Sequence, residues 1–250
     1  MIYENTYHVG ARDTDPFGQC RPSSLMDFLQ EAATEAALEL QVSREEMINR
    51  YHVFWMLARI WYRLDSPVFW NDEITVRTWH RGGKGVSMYR DFDLFRNGKP
   101  IGEAVSLWVL ADLETRKLFR LSNIPEFDST SGCEHCKERM LSKLRVPVPL
   151  KPVATRVLQY SDADVNGHVN NVRYADFACD ALKLHQLGTG AYVSSVQLGY
   201  LKECGPGEKL QLSAGQGDGI WYVQGDGEEG TARFDAALTL SPLDSLRKKA

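Results

Sequence analysis

One stretch of the chain gathers the residue types that acid–base chemistry needs. Residues 160–174, YSDADVNGHVNNVRY, hold two carboxylates, three carboxamides and one imidazole, with no lysine among them. Asp164, Asn166 and His168 occupy alternate positions in this stretch. Because alternate residues of an extended segment share a face, these three side chains can converge on one point. We therefore take them as the centre of a candidate catalytic site.

A helix is predicted directly after this stretch, since apolar residues from Val172 to Leu182 recur at helical spacing. Asn170 or Asn171 is the expected N-cap. The first N–H groups of a helix are unpaired and carry partial positive charge, which suits them to hold a developing oxyanion. The alternative is that the polar residues form an Asx-rich turn that only caps the helix.

Length and composition narrow the class of protein. With 250 residues, 43% of them hydrophobic, the chain can bury one large core or two modest ones. The formal net charge of -4 argues against nucleic acid as the main partner. No apolar run approaches the roughly 20 residues that cross a bilayer, and the N-terminus lacks the form of a signal peptide. A cytoplasmic protein is expected.

Five cysteines, an odd number spread along the chain, predict reduced thiols and no disulfide framework. Cys133 and Cys136 form a C-x-x-C around Glu134 and His135. A structural zinc site normally needs a second such pair, and the sequence has none nearby. We expect neither a metal nor a cofactor.

The order of predicted elements occurs twice. Strands are predicted at residues 3–12, 53–65, 73–81, 86–96 and 101–110, with a helix from Pro22 to Leu40 capped by Ser23 or Ser24. Strands at residues 155–160, 192–203, 208–213, 220–225 and 231–241 repeat this order around the second helix. Between them lies a linker rich in proline and charge, with one short helix around residues 134–144. The predicted organisation is an N-terminal half at 1–120, a linker at 121–152 and a C-terminal half at 153–250.

Residue identities support an internal duplication. Five residues of the first half recur in the second at a constant offset (162 − 13 = 149): Asp13, Asp15, Gly18, Asp27 and Phe28 match Asp162, Asp164, Gly167, Asp176 and Phe177. Further along, IWYRLD at residues 60–65 parallels LGYLKE at residues 198–203, which pairs Asp65 with Glu203. Each copy is predicted to set a long helix beside an antiparallel sheet, and the two sheets can join edge to edge.

The differences between the copies indicate where the chemistry lies. In place of Asn166 and His168 the first copy has Phe17 and Gln19, and in place of Glu203 it has the shorter Asp65. Only the second half keeps a reactive set. The first half is then free to bind substrate or to act as scaffold.

Three motifs together carry a family resemblance: DADVNGHVNNVRY, the KEC of residues 202–204, and PSSLMDFLQEAA in the first half. They resemble the acyl-acyl carrier protein thioesterases of plants and bacteria. The resemblance implies an α+β tandem hotdog fold, in which each half wraps an antiparallel sheet around a long central helix. It implies hydrolysis of fatty acyl-carrier protein thioesters to free fatty acid, which terminates fatty acid synthesis. The implied partner is an acyl carrier protein with a phosphopantetheine-linked acyl chain.

By position, Asp164, Asn166 and His168 match the active-site triplet of that family. Glu203 matches its acidic residue, and Cys204 is the adjacent cysteine once regarded as a nucleophile. Unlike the plant members, this chain begins almost at its first predicted strand, so no transit peptide or membrane-associating segment is expected before it.

The chemistry leaves several roles open. Glu203 is the preferred base or water-orienting group, with Asn166 fixing the water or the substrate carbonyl. His168 either shares the base role or protonates the departing sulfur, and Asp164 either orients the imidazole or positions the loop. A covalent route would use Cys204 as nucleophile and His168 as its base. We favour direct hydrolysis, with Cys204 as a small residue at a strand end.

Three other functions fit the same pattern: a thioesterase for coenzyme A esters, a double-hotdog dehydratase of 3-hydroxyacyl thioesters, and a non-catalytic acyl-binding protein. The clustered acid, amide and imidazole argue against mere binding.

A basic face would suit an acidic carrier protein. Two clusters are candidates for it: Arg77, Arg81, Lys84 and Arg90, and Lys137, Arg139, Lys143 and Arg145. The strand with Phe54, Trp55, Met56 and Trp61 is expected to be mostly core, with some positions lining an acyl tunnel. Both a monomer and a homodimer are compatible with the sequence.

Overall fold

The computed structural model describes residues 1–127, 136–186 and 188–243, which form an α+β protein. The described residues contain three α-helices: α1 Pro22–Glu39, α2 Arg44–Tyr51 and α3 Arg173–Ala181. Their strands are β1 Tyr3–His8, β2 Val53–Leu64, β3 Glu73–Lys84, β4 Ser87–Arg96, β5 Lys99–Asp112, β6 Leu118–Phe119, β7 Lys151–Val157, β8 Ala191–Tyr200, β9 Lys209–Gly217, β10 Ile220–Asp226 and β11 Ala232–Pro242. Every strand longer than two residues was predicted within a few residues.

The chain forms two compact units that interleave in sequence. Unit 1 comprises Met1–His8, Asp27–Trp61 and Glu73–Leu141, and unit 2 comprises Val9–Met26, Tyr62–Asp72 and Ser142–Ala250. The predicted division at residues 120 and 152 stays a prediction. Asp13, Asp15 and Gly18 and their matches Asp162, Asp164 and Gly167 all belong to unit 2, whereas Asp27 and Phe28 belong to unit 1.

In unit 1 the strand order is β1, β3, β4, β5, β2, with β6 beside β5. The pairs β1/β3, β3/β4, β4/β5 and β5/β6 are antiparallel. The predicted hairpin between β4 and β5 is confirmed, since Arg96 pairs with Lys99 across Asn97 and Gly98. Both turn residues have positive φ, 51° and 72°, as a two-residue hairpin of this kind requires.

The helix α1 buries the apolar stripe that its sequence predicted, with Leu25, Leu29 and Ala32 at most 1% exposed. It begins at Pro22, so neither Ser23 nor Ser24 is its cap. The short helix α2 was not predicted. Its signal is nonetheless in the sequence, because Ser43 and Glu46 form a capping box at its start.

In unit 2 the strand order is β8, β11, β10, β9, β7, again with antiparallel pairs. The helix α3 buries Ala175, Phe177 and Ala178. The expectation of a long second helix is wrong, because α3 has nine residues. The backbone reaches a left-handed conformation at Lys183, with φ of 53°, and this stops the helix.

The predicted short helix at residues 134–144 is also wrong over its described part, since residues 136–144 form neither helix nor strand. Lys137, Arg139 and Leu141 of this segment bond to the sheet of unit 1 instead of to each other. The N–H of Lys137 donates to Asp91 Oδ2 at 2.9 Å, and its Nζ contacts Asp93 and Glu103 at 2.6 and 3.0 Å. Arg139 lies 3.6 Å from the centre of the Trp61 ring. We call residues 136–141 the strap, since charged and aromatic contacts hold this segment against the sheet of unit 1.

Within the three described ranges, no helix is long and apolar enough to span a bilayer. Cys20, Cys136, Cys179 and Cys204 are free thiols, as predicted. Cys133 and His135 of the C-x-x-C lie outside the described residues. The described part of the chain holds no group of three or more His, Cys, Asp or Glu side chains arranged to bind a metal ion.

Candidate active site

The three polar residues of the candidate site lie on a tight turn, which we call the second turn (residues 162–170). The N–H of Asp164 donates to His168 O at 2.9 Å, and the N–H of Gly167 donates to Asp164 O at 2.9 Å. Gly167 has φ of 76°, a conformation that other residues rarely adopt. The expectation of an extended segment is therefore wrong. The reason is the Asp164 carboxylate, which accepts the N–H of Asn166 at 2.8 Å and so closes the turn.

The second turn brings His168 beside Glu203, which follows strand β8. His168 Nε2 and Glu203 Oε2 are 3.7 Å apart, within ion-pair range but longer than a hydrogen bond. The two side chains are 41% and 44% exposed, so water and substrate can reach both. Asn166 is exposed at the tip of the same turn. The predicted residues thus divide: His168 and Glu203 face each other, while Asp164 holds the backbone that carries Asn166.

A buried carboxylate that the sequence reasoning did not include in the site anchors the base of this turn. The side chain of Asp162 is fully buried and accepts from the N–H of Gln159 and from Arg156 Nη2, at 2.8 and 2.9 Å. Arg173 Nη2 lies 3.4 Å from the same carboxylate. Burial alone would raise the pKa of Asp162, but the Gln159 N–H and the two guanidinium groups outweigh it and lower the pKa. Two features of the sequence could have identified Asp162. It matches Asp13 at the constant offset, and Arg156 and Arg173 lie on either side of it in the chain.

The start of α3 differs from the expectation. Val172, not Asn170 or Asn171, is the N-cap residue. Asn170 nevertheless acts there, since its Oδ1 accepts the N–H of Val172 at 3.1 Å and its O accepts the N–H of Arg173 at 3.0 Å. Those two N–H groups are therefore engaged and cannot bind an oxyanion.

Cys204 occupies a structural position. It is 1% exposed, and its carbonyl accepts the N–H of Val169 at 2.8 Å, which ties the second turn to the segment after β8. Burial raises the pKa of the Cys204 thiol, and a hydrogen bond with Tyr174 only partly offsets this. The thiolate that a nucleophile needs is disfavoured there.

The first copy repeats the turn at the predicted offset. In this first turn (residues 13–21), Asp15 N–H donates to Gln19 O at 2.8 Å, Gly18 N–H donates to Asp15 O at 3.0 Å, and Phe17 N–H donates to Asp15 Oδ1 at 2.9 Å. Each bond has its counterpart 149 residues later, which confirms the duplication at these positions.

The match of Asp65 with Glu203 is wrong. The N–H of Cys20 donates to Val68 O, whereas the N–H of Val169 donates to Cys204 O, each at 2.8 Å, so the offset after the strands is 204 − 68 = 136. The bonds from Phe69 to Asp72 Oδ2 and from Gly205 to Glu208 Oε1 obey the same offset. The counterpart of Glu203 is therefore Pro67. The sequence similarity pairs Glu203 with Asp65, whereas the backbone hydrogen bonds pair it with Pro67, two residues further along the chain.

The two turns also differ at the segment that holds them. Trp70 N–H donates to Gly18 O at 2.9 Å and so ties down the tip of the first turn. At the equivalent position the second copy has Pro206, which has no N–H to donate. Val165 near the tip of the second turn is 90% exposed. The tip that carries Asn166 therefore cannot receive the backbone bond that Trp70 gives to the first turn.

The first predicted basic cluster does not form an open basic face. Arg77 pairs with Glu4, Arg81 pairs with Asp91 at 2.6 Å, and Arg90 is 3% exposed. The side chain of Lys84 lies outside the described part of the structure. In the second cluster Lys137 and Arg139 hold the strap to unit 1, whereas Lys143 and Arg145 are exposed.

Solved structures share this fold along nearly its whole length. An acyl-ACP thioesterase from Bacteroides thetaiotaomicron superposes with a TM-score of 0.86 at 23% identity, covering 96% of this chain and 98% of that one. The 12:0-ACP thioesterase from Umbellularia californica gives 0.80 at 19% identity, covering 96% and 97%. The fold is thus of the hotdog type found in these enzymes.

Sequence comparison identifies the family. Residues 1–126 match the acyl-ACP thioesterase N-terminal domain, and residues 154–239 match the C-terminal domain. A palmitoyl-acyl carrier protein thioesterase of Arabidopsis thaliana is 30% identical over 84% of this chain and 54% of its own length, and one of Gossypium hirsutum is 28% identical over 82% and 52%. The chain belongs to the acyl-ACP thioesterase family. It spans about half the length of these plant relatives.

Proposed function

We propose that this protein hydrolyses fatty acyl thioesters of acyl carrier protein to free fatty acid and carrier protein. The observation that carries the proposal is an exposed pair: His168, on the turn that the family resemblance marks as the active site, and Glu203, which faces it at 3.7 Å from the segment after β8. An imidazole beside a carboxylate can take up and return the single proton that thioester hydrolysis moves.

In the proposed reaction the Glu203 carboxylate takes a proton from a water molecule while the oxygen of that water attacks the thioester carbonyl carbon, which forms a tetrahedral intermediate. The carbon–sulfur bond of the tetrahedral intermediate then breaks. The proton passes from the Glu203 carboxyl to His168, and from His168 to the departing thiolate, which returns both side chains to their starting states. Asn166 orients the water or the carbonyl oxygen through its carboxamide. Asp164 positions the turn, a role that its bond to the Asn166 N–H supports. General acid–base assistance of this kind contributes about 10²–10⁴-fold to the rate.

Direct hydrolysis is favoured over an acyl-enzyme at Cys204. Cys204 is 1% exposed, and burial raises the pKa of its thiol, so the sulfur is inaccessible and its thiolate form is disfavoured. Its carbonyl bond to Val169 gives the residue a structural role that needs no reactive sulfur.

The proposal extends to the arrangement of the chain. The two halves form a double hotdog, each half a sheet around its helix, with residues 1–120 and 153–250 as the halves and the degenerate first half binding the acyl chain. Half-buried Phe54 and Met56, which share one face of β2, supply apolar surface for such a chain. The carrier protein is the partner, and the protein acts in the cytoplasm.

The proposal is tested by thiol release from matched acyl groups on carrier protein and on coenzyme A, each measured over a series of salt concentrations. We expect faster release from carrier protein, with kcat/KM falling as salt screens the protein–protein contact. Faster cleavage of the coenzyme A ester would move the function to an acyl-CoA thioesterase. Loss of water from a 3-hydroxyacyl substrate with the thioester intact would move it to a dehydratase.

A further inference from the structure

The residue that holds Glu203 in place is Arg233, near the start of strand β11. Strand β8 ends at Tyr200, which pairs with Phe234 of β11. Beyond that point the N–H groups of Leu201 and Lys202 both donate to Arg233 O, at 2.9 and 3.1 Å. This shared acceptor ends the regular ladder and turns the chain out of the sheet just before Glu203.

The side chain of Arg233 continues the same contact. Its Nη1 donates to Glu203 O at 3.3 Å. One residue therefore bonds three successive residues, Leu201, Lys202 and Glu203, through its carbonyl and its guanidinium group. On the far side the segment is fixed by the bond from Val169 N–H to Cys204 O.

The Arg233 guanidinium is itself locked. Its side chain is 9% exposed, and Nη2 pairs with Glu229 at 2.8 Å and with Glu208 at 3.1 Å. Glu208 in turn accepts the N–H of Gly205 at 2.8 Å through its other oxygen. Gly227 lies against the guanidinium, where an added Cβ would come within 2.6 Å of Nε. A planar, multiply paired guanidinium is well suited to hold a backbone segment in one geometry.

We propose that Arg233 is a positioning residue that sets the His168–Glu203 distance for the hydrolysis. The inference rests on the proposed function, since it gives Glu203 the role of base. Arg233 does not touch the substrate. It acts by fixing the backbone from which the Glu203 carboxylate projects, because small displacements of a catalytic group cost large factors in rate.

The test compares Arg233→Gln and Arg233→Lys with the wild type in acyl-carrier protein hydrolysis. We expect Arg233→Gln to lower kcat about 10- to 100-fold with KM within about threefold, and to shift the apparent pKa of the kcat–pH profile. Arg233→Lys keeps a cation for the two glutamates and should recover part of kcat. The control is Lys209→Ala, which removes a surface partner of Glu228 at 3.4 Å and should leave kcat within about twofold.

A double-mutant cycle separates this inference from the proposed function. If Glu203 is the base, Glu203→Gln alone removes most of kcat, and adding Arg233→Gln lowers it little further. Loss in Glu203→Gln with an unchanged kcat and pH profile in folded Arg233→Gln would overturn the positioning role alone. An unchanged kcat in Glu203→Gln would overturn the proposed base instead. An equal further loss from Arg233→Gln in both backgrounds would show an effect independent of Glu203 and would also overturn the inference.

Discussion

The first and second turns of this protein have the same backbone and different chemistry. In both, an aspartate closes the turn on a backbone N–H, Asp15 on Phe17 and Asp164 on Asn166. Only the second turn adds an imidazole, which faces Glu203. Its first-turn equivalent, Gln19, donates through Nε2 to Ala191 O at 3.0 Å. One turn uses its polar side chain for structure, and the other presents it to solvent.

The surroundings of the two turns differ in the same sense. Asp162 at the base of the second turn is held by two guanidinium groups, whereas the equivalent Asp13 accepts the N–H of Gly10 at 2.8 Å. The tip of the first turn is tied by Trp70, and Pro206 leaves out that bond in the second. A firmly anchored base beneath a tip without the Trp70 bond suits a catalytic turn, since it fixes the reacting groups and still admits substrate.

The largest effect should come from exchanging the residues that distinguish the turns. His168→Gln gives the second turn the first turn's residue and should lower kcat for acyl-carrier protein about 10²–10⁴-fold, because the proton carrier is lost. Steady-state thiol release measures this. The reciprocal Gln19→His is the control and should leave kcat within about threefold. Activity retained in a folded His168→Gln protein would contradict the account.

The second effect is on stability. Asp162→Ala removes a buried carboxylate that two guanidinium groups share. It should lower the free energy of unfolding by about 1.5–3 kcal/mol, since both arginines are partly exposed and each keeps a second carboxylate partner. Asp13→Ala removes one hydrogen bond and should cost about 0.5–1.5 kcal/mol. Urea titration of both variants measures the difference. Equal losses would show that the arginines around Asp162 contribute nothing special.

The same contrast has a pH signature. Because the folded-state pKa of Asp162 is lowered, its contribution to stability is present above the unfolded pKa of about 3.9 and is lost as pH falls through the folded value. Asp162→Asn should therefore reduce the loss of stability on acidification between the two values. Thermal unfolding at a series of pH values checks this, and an unchanged acid limb in Asp162→Asn would refute it.

A smaller effect is expected at the tip. Pro206→Ala restores an N–H that can donate to Gly167 O, as Trp70 donates to Gly18 O. One such bond is worth about 0.5–1.5 kcal/mol, so the tip should be held and kcat should fall about threefold. Amide hydrogen exchange of residue 206 shows whether the bond forms. A protected amide with unchanged kcat would mean that freedom of the tip is not needed.

The smallest effect should be at Cys204, whose first-copy equivalent is Val68. Cys204→Val keeps a small apolar side chain and should leave kcat within about threefold, because hydrolysis does not pass through the sulfur. Mass spectrometry of the wild type during turnover should detect no acyl group on this residue. An acylated Cys204 or a loss of more than about 100-fold would restore the covalent route.

The sequence predicted both turns and most strands, and each prediction that was wrong has a physical cause. The repeated Asp-x-Asp spacing located both turns. The same aspartates close both turns, so they appear in the sequence as identical residues at a constant offset. Asp65 was paired with Glu203 because sequence similarity does not show where a strand leaves its sheet, which here depends on two N–H groups that share Arg233 O. The helix predicted at residues 134–144 was wrong over the strap, because Lys137 of the strap bonds to Asp91 and Asp93, which are distant in sequence.

The role of Glu203 as the base is tested most sharply by comparing thiol release from acyl-carrier protein in Glu203→Gln and Asp65→Asn. Both substitutions remove one negative charge near the end of a strand. Asp65 lies 3.5 Å from the exposed Arg63, whereas Glu203 faces His168. We expect a loss of at least about 10²-fold in kcat for Glu203→Gln and of less than about twofold for Asp65→Asn. Comparable activity in the two variants would show that Glu203 is not the base.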